Sequence, residues 1–186
     1  MRAIAIILLT ILVAPQFSNA QTEASTAMQQ LKEGALIVKL IVPQKKLDAL
    51  LSSNKKEEMI ALEEETKMRH EQIIQAFETT YTFSKVYFIL TPDIGKLADG
   101  DPTVLFDTKG HSADQIPPSW LYIELSESPK RGIDGFVVRD SEHFVLTKPF
   151  PYFVSQWDFL HINKRTYIEM LAIWQKKLEH LASKLD

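Results

Sequence analysis

The chain has 186 residues, 45% hydrophobic and 24% charged, with a formal net charge of −3 and no cysteine. That length and hydrophobic content suit one domain around a single core and exclude disorder throughout. The missing cysteine excludes disulfides, thiol catalysis and thiolate metal sites, and with no basic block to grip a phosphate backbone, nucleic acid is not an expected partner.

Residues 1–20 read as a removable export signal. Arg2 is a minimal positive region, Ala3–Ala14 is an uncharged apolar run, and Ser18-Asn19-Ala20 fits a small-x-small cleavage site. The apolar run is 12 residues, short of the roughly 20 that a spanning helix needs. Cleavage leaves residues 21–186 as one domain, and loss of Arg2 takes the formal charge to −4. The expected location is periplasmic or secreted, with no integral membrane segment after cleavage.

Thr22–Glu33 can form a short helix, with Gly34 placed for a left-handed C-cap. Ala35–Val42 is apolar on both faces except Lys39 and reads as a buried strand ended by Pro43. Gln44–Tyr81 is helical. Ser52-Ser53-Asn54 interrupts it, and Asn54 with Glu57 resembles a cap for a second helix. The polar run Glu63–Lys67 fits a solvated helix face, or a helix that projects beyond the sheet to meet a partner.

Val86–Leu90 is an uninterrupted β-branched and aromatic run that stops before Pro92. It predicts a strand covered on both faces, placed centrally in the sheet. Thr103–Asp107 is a further short strand, and residues 108–119 are a loop. Trp120–Leu125 alternates as a half-buried strand, and Ile133–Arg139 with His143–Thr147 reads as a β-hairpin. His70 and His143 read as surface or strand residues. Lys148–Phe159 is rich in aromatics and prolines. Asn163 is the expected cap of a final helix, whose Tyr167, Leu171, Trp174, Leu178, Leu181 and Leu185 step by four and three. That stripe is expected to pack on the sheet. The order predicts an α/β (or α+β) domain: a mixed sheet of about five or six strands with helices on both faces, its first pair parallel through a right-handed crossover.

A strand–helix–strand half, a later hairpin and a terminal helix together resemble the thioredoxin-like fold. The Cys-x-x-Cys of that fold is missing, so no redox role carries over and no residue maps. The phrases Tyr-Thr-Phe-Ser-Lys-Val-Tyr-Phe (81–88) and Lys-Pro-Phe-Pro-Tyr (148–152) resemble segments of an uncharacterised family of exported bacterial proteins. That resemblance implies no activity.

Two stretches could carry chemistry. Ligands of open parallel sheets sit beyond the carboxyl ends of strands. Asp93 and Asp107 end predicted strands and His111 follows, a set able to act as acid and base or to bind a divalent cation. The plainer reading is that Asp93 caps a turn and His111 is a loop histidine. Phe150, Tyr152, Phe153 and Trp157 could form a peptide- or glycan-binding surface, or could belong to a segment crossing the core. The leading expectation is a non-enzymatic domain that binds or supports an envelope protein or peptide, without cofactor or metal. The alternatives are a hydrolase or metal-dependent enzyme centred on Asp93, Asp107 and His111, and a small-molecule or lipid carrier with an internal cavity. Oligomeric state is left open.

Overall fold

A computed structural model describes residues 21–128, 132–158 and 162–185. The expected export signal lies outside them. The described elements are helix α1 over residues 21–33, β1 (Ala35–Leu40), α2 (Gln44–Ser52), α3 (Lys56–Thr80), β2 (Lys85–Leu90), α4 (Ile94–Ala98), β3 (Trp120–Glu127), β4 (Asp134–Arg139), β5 (Phe153–Ser155) and α5 (Tyr167–Leu185). The strands form one mixed sheet in the order β2-β1-β3-β4-β5. β1 runs parallel to both β2 and β3, and β4 is antiparallel to β3 and β5. Among the described residues, no helix is long and apolar enough to cross a membrane.

Alternation along the strands divides the sheet into two faces. Leu36, Val38, Phe88, Leu121, Ile123 and Phe136 meet α1, α3 and α5 in the main core. Phe77 of α3 is its centre, with ring centroids 5.9 Å from both Phe88 and Phe136 and 5.8 Å from Tyr81. Tyr81 in turn stacks on Trp174 of α5 at 5.6 Å. Such edge-to-face and offset pairs add to the burial of the rings themselves. The opposite face carries Ala35, Ile37, Tyr87, Ile89 and Tyr122, covered by Leu97 of the short α4 and by Leu105 and Ala113 of the loop after it. Helices thus lie on both faces, with the long ones on one.

The α5 stripe packs as expected, with Leu171, Trp174, Leu178 and Leu181 buried. Its N-terminus differs. Thr166, not Asn163, is the cap: Glu169 N–H donates to Thr166 Oγ1 at 3.2 Å while Thr166 N–H donates to Glu169 Oε2 at 2.8 Å. This reciprocal capping box satisfies two end donors at once. Asn163 instead donates to Asp158. Asn54 does not cap α3 either. It sits at φ 55° after α2, its N–H donating to Leu51 O and that of Lys55 to Leu50 O, which is a Schellman ending.

Three strand expectations are also corrected. β2 lies at the edge of the sheet, because an apolar run reports cover on its two faces and says nothing of lateral neighbours. Its outer side is closed by one antiparallel bridge, Phe88 to Phe106. Thr103–Asp107 is not a strand of the sheet: Phe106 makes that bridge and a second one to Ser112, and a 3-10 turn occupies Pro102–Val104. His143–Thr147 forms a single bridge from Val145 to Arg139, and the strand paired with β4 on the side away from β3 is β5.

Gly34 is not in a left-handed conformation. It is required by close approach: a Cβ there would lie 1.9 Å from the Ser119 carbonyl oxygen, which accepts the Ala35 N–H at 3.0 Å. Gly95 in α4 has open space around it. Gly34→Ala should therefore destabilise by about 1–3 kcal/mol through overpacking. Gly95→Ala should be neutral or stabilising by up to about 1 kcal/mol through helix propensity. Equilibrium denaturation of the two variants checks this, and equal effects would refute the account of Gly34.

Candidate functional site

The acidic and imidazole candidates do not assemble. Asp93 precedes α4 and pairs with Lys96 at 2.7 Å. Asp107 and His111 close a small turn, with Asp107 Oδ1 accepting the N–H groups of Lys109 and His111 and Oδ2 lying 3.3 Å from His111 Nδ1. The His111 backbone donor first, and then that of Lys109, holds the Asp107 carboxyl below its ordinary range. Because Phe106 runs antiparallel to Phe88, Asp107 heads towards the start of β2, whereas Asp93 follows its end. Among the described residues, no three acidic or histidine side chains are grouped closely enough to hold a metal ion.

The charged cluster that does assemble surrounds Lys39. In β1 this residue alternates with Leu40 and so points to the second face, where it is only 6% exposed. A buried ammonium must be paired and hydrogen-bonded. Glu124, its neighbour in β3, places Oε2 at 3.5 Å, and the other oxygen of Glu124 accepts from Arg139 Nε at 2.7 Å. Lys39 Nζ also lies 2.9 Å from Nδ1 of His143 and 4.5 Å from the centre of the Tyr122 ring. The ammonium can only donate, so His143 is neutral, with its hydrogen on Nε2. Burial lowers the Lys39 pKa, against the pull of Glu124. Burial and then the Lys39 charge lower that of His143.

This cluster fixes a turn. His143 adopts φ 71°, uncommon for any residue but glycine. Its carbonyl accepts from Arg139 Nη1 at 3.1 Å, while Asp140 Oδ1 accepts the N–H groups of Glu142 and Phe144. The chain then leaves the β4 edge as residues 145–153, and Trp174 Nε1 clamps it to α5 through the Pro151 carbonyl at 2.6 Å.

Between that segment and the last turns of α5 is a cleft of about 950 Å³. Its apolar lining is Val145, Leu146, Pro149, Phe150, Pro151 and Leu181, with Lys148, Lys177, His180 and Lys184 also facing it. Among the described residues, no carboxylate lines it. None of the three lysines is ion-paired among the described residues, unlike Lys39, Lys55, Lys67 and Lys96. Partial desolvation of its amine, and then the charge of Arg165, lowers the Lys177 pKa. Of the four aromatic candidates, Phe150, Tyr152 and Phe153 border the cleft, and Phe150 is itself a core residue at 2% exposure. Trp157 lies apart, bridged to Lys164. Sequence reasoning missed both cationic features. Lys39 was visible as the one charge in an apolar octet. On α5, Lys177, His180 and Lys184 recur at helical spacing, but nothing in the sequence says which wall they face.

Comparisons with family models, with curated proteins and with solved structures each return no match.

Two outcomes follow from the Lys39 cluster. Glu124→Leu should cost about 3–5 kcal/mol, because it strands the buried Lys39 ammonium and removes the partner of the half-buried Arg139. Lys39→Met leaves the Glu124–Arg139 pair intact and should cost much less. Chemical denaturation of both variants decides the order, and a larger loss for Lys39→Met would contradict it. The folded pKa of His143 lies below its unfolded value near 6.5. Between those two values the unfolded chain binds more protons, so stability rises with pH. The contribution is present above about 6.5 and is lost as pH falls towards the folded pKa. Thermal melts from neutral to acidic pH should show a drop that is smaller in His143→Asn, asparagine being tolerant of positive φ; equal drops would exclude His143 as the cause.

Proposed function

We propose that the protein is an exported, non-enzymatic binding domain that works in the cell envelope through the cleft between residues 145–153 and α5. The observation that carries this reading is an apolar cleft facing three lysines that have no carboxylate partner among the described residues, on a chain whose net charge is negative. Apolar lining with a few convergent polar groups is the ordinary chemistry of a ligand site, and uncompensated cations call for an anionic ligand. Export rests on the pattern of residues 1–20. The features in line with the thioredoxin-like resemblance are a parallel β1–β2 pair joined through helices and a last helix; β3 also runs parallel to β1, and antiparallel pairing begins at β4.

An acid–base enzyme is less well supported. The Asp107–His111 pair is a local turn contact with Asp93 directed elsewhere. Lys39, the amine best placed for nucleophilic chemistry, is buried and occupied by Glu124 and His143.

A photo-crosslinking residue at position 177, with a control at exposed Glu57, tests the reading in producing cells. The expected result is a discrete adduct at 177 alone, diminished by Lys148→Gln with Lys184→Gln. Identical patterns at 177 and 57 would defeat the proposal.

A further inference from the structure

Resting on the cleft reading, we infer that the occupant is an extended, acidic peptide segment of a partner protein, with acidic and apolar residues alternating. The distribution of charge along the cleft carries this choice. Lys177, His180 and Lys184 share one stripe of α5, spaced at three and four residues. At 1.5 Å per residue, Lys177 and Lys184 stand about 10 Å apart along the axis. Lys148 belongs to the opposite wall. A single anionic headgroup on an acyl chain would compensate one end of this row and leave the rest unpaired. Negative charge repeated along the ligand compensates all of it.

The apolar lining sets the second requirement. Leu146, Phe150 and Leu181 are buried, whereas Lys148, Lys177 and Lys184 are exposed. A ligand lying in the cleft therefore meets apolar surface below and ammonium groups at its margins, since lysine keeps its head in water above an apolar stem. An extended chain alternates its side chains between opposite sides, so apolar residues can face the floor while the intervening carboxylates reach the margins. About 10 Å accommodates roughly three extended residues, at 3.3–3.6 Å each.

The test is fluorescence anisotropy of the full mature protein with a short fluorescein-labelled peptide of alternating Glu and Leu. Lysine-for-glutamate peptide and phosphatidylglycerol vesicles are run alongside. The Glu–Leu peptide should bind, and binding should weaken with added salt. Lys177→Gln with Lys184→Gln should weaken it about tenfold or more, as loss of interfacial charge pairs does. Lys177→Arg with Lys184→Arg should retain it. Since these side chains are exposed, folding should be unaffected, which circular dichroism checks. Equal binding of the lysine peptide, indifference to the Gln pair, or binding to vesicles without binding to the peptide would overturn the inference. If peptide binding fails while the adduct at position 177 persists, only the ligand class is wrong. If both fail, the cleft reading falls with it.

Discussion

A lysine amine held inside a β-sheet constrains much of what lies around it. Lys39 occupies the middle of the sheet's parallel region, between β2 and β3, and its ammonium is shut away from water. Such a group is tolerated only when its charge and its donors are met. Glu124 meets the charge, Arg139 neutralises the remaining half of Glu124, and His143 takes a further donor. Three strands and a turn are thereby fixed to one another at a single point. The turn holding His143 launches the 145–153 segment, so the compensation of one buried charge also determines where one wall of the cleft begins.

The two faces of the sheet divide the work. One is dry and aromatic: Phe77 holds β2 and β4 together from above, and Tyr81 passes that contact on to Trp174. The other combines a small apolar cluster with the polar network around Lys39. Trp174 belongs to the dry side yet also donates to Pro151, so the core anchors the second wall of the cleft as well. The cleft is in this sense a consequence of both faces. One sets the turn before the segment, and the other pins the segment to α5.

Its electrostatic character follows from what is missing around it. Some surface lysines face carboxylates at short sequence separation, as Lys55 faces Glu58 and Lys96 faces Asp93. Exposed pairs of that kind contribute little to stability, but they do cancel charge. Along the cleft, Lys148, Lys177 and Lys184 have no such partner among the described residues.

Much of the local structure was legible in the sequence. The long helices and the α5 stripe of Leu171, Trp174, Leu178 and Leu181 follow from periodicity, because burial on one face imposes a repeat on the residues themselves, and the run that Pro43 ends showed as an apolar strand. The apolar character of β2 was likewise readable, since cover on both faces excludes polar residues from both. Its position at the edge was not, nor was the pairing of β4 with β5 in place of a hairpin, because lateral order depends on backbone hydrogen bonds that any residue can make. The same limit governs the site. Lys39 showed as an anomaly in an apolar run, but Glu124, Arg139 and His143 lie 85 to 104 positions away, and only the sheet brings them within bonding distance. Lys177 and Lys184 were ordinary charges on a helix until the fold set residues 145–153 opposite them. Periodicity is a property of neighbours in the chain, whereas a binding site is a property of neighbours in space.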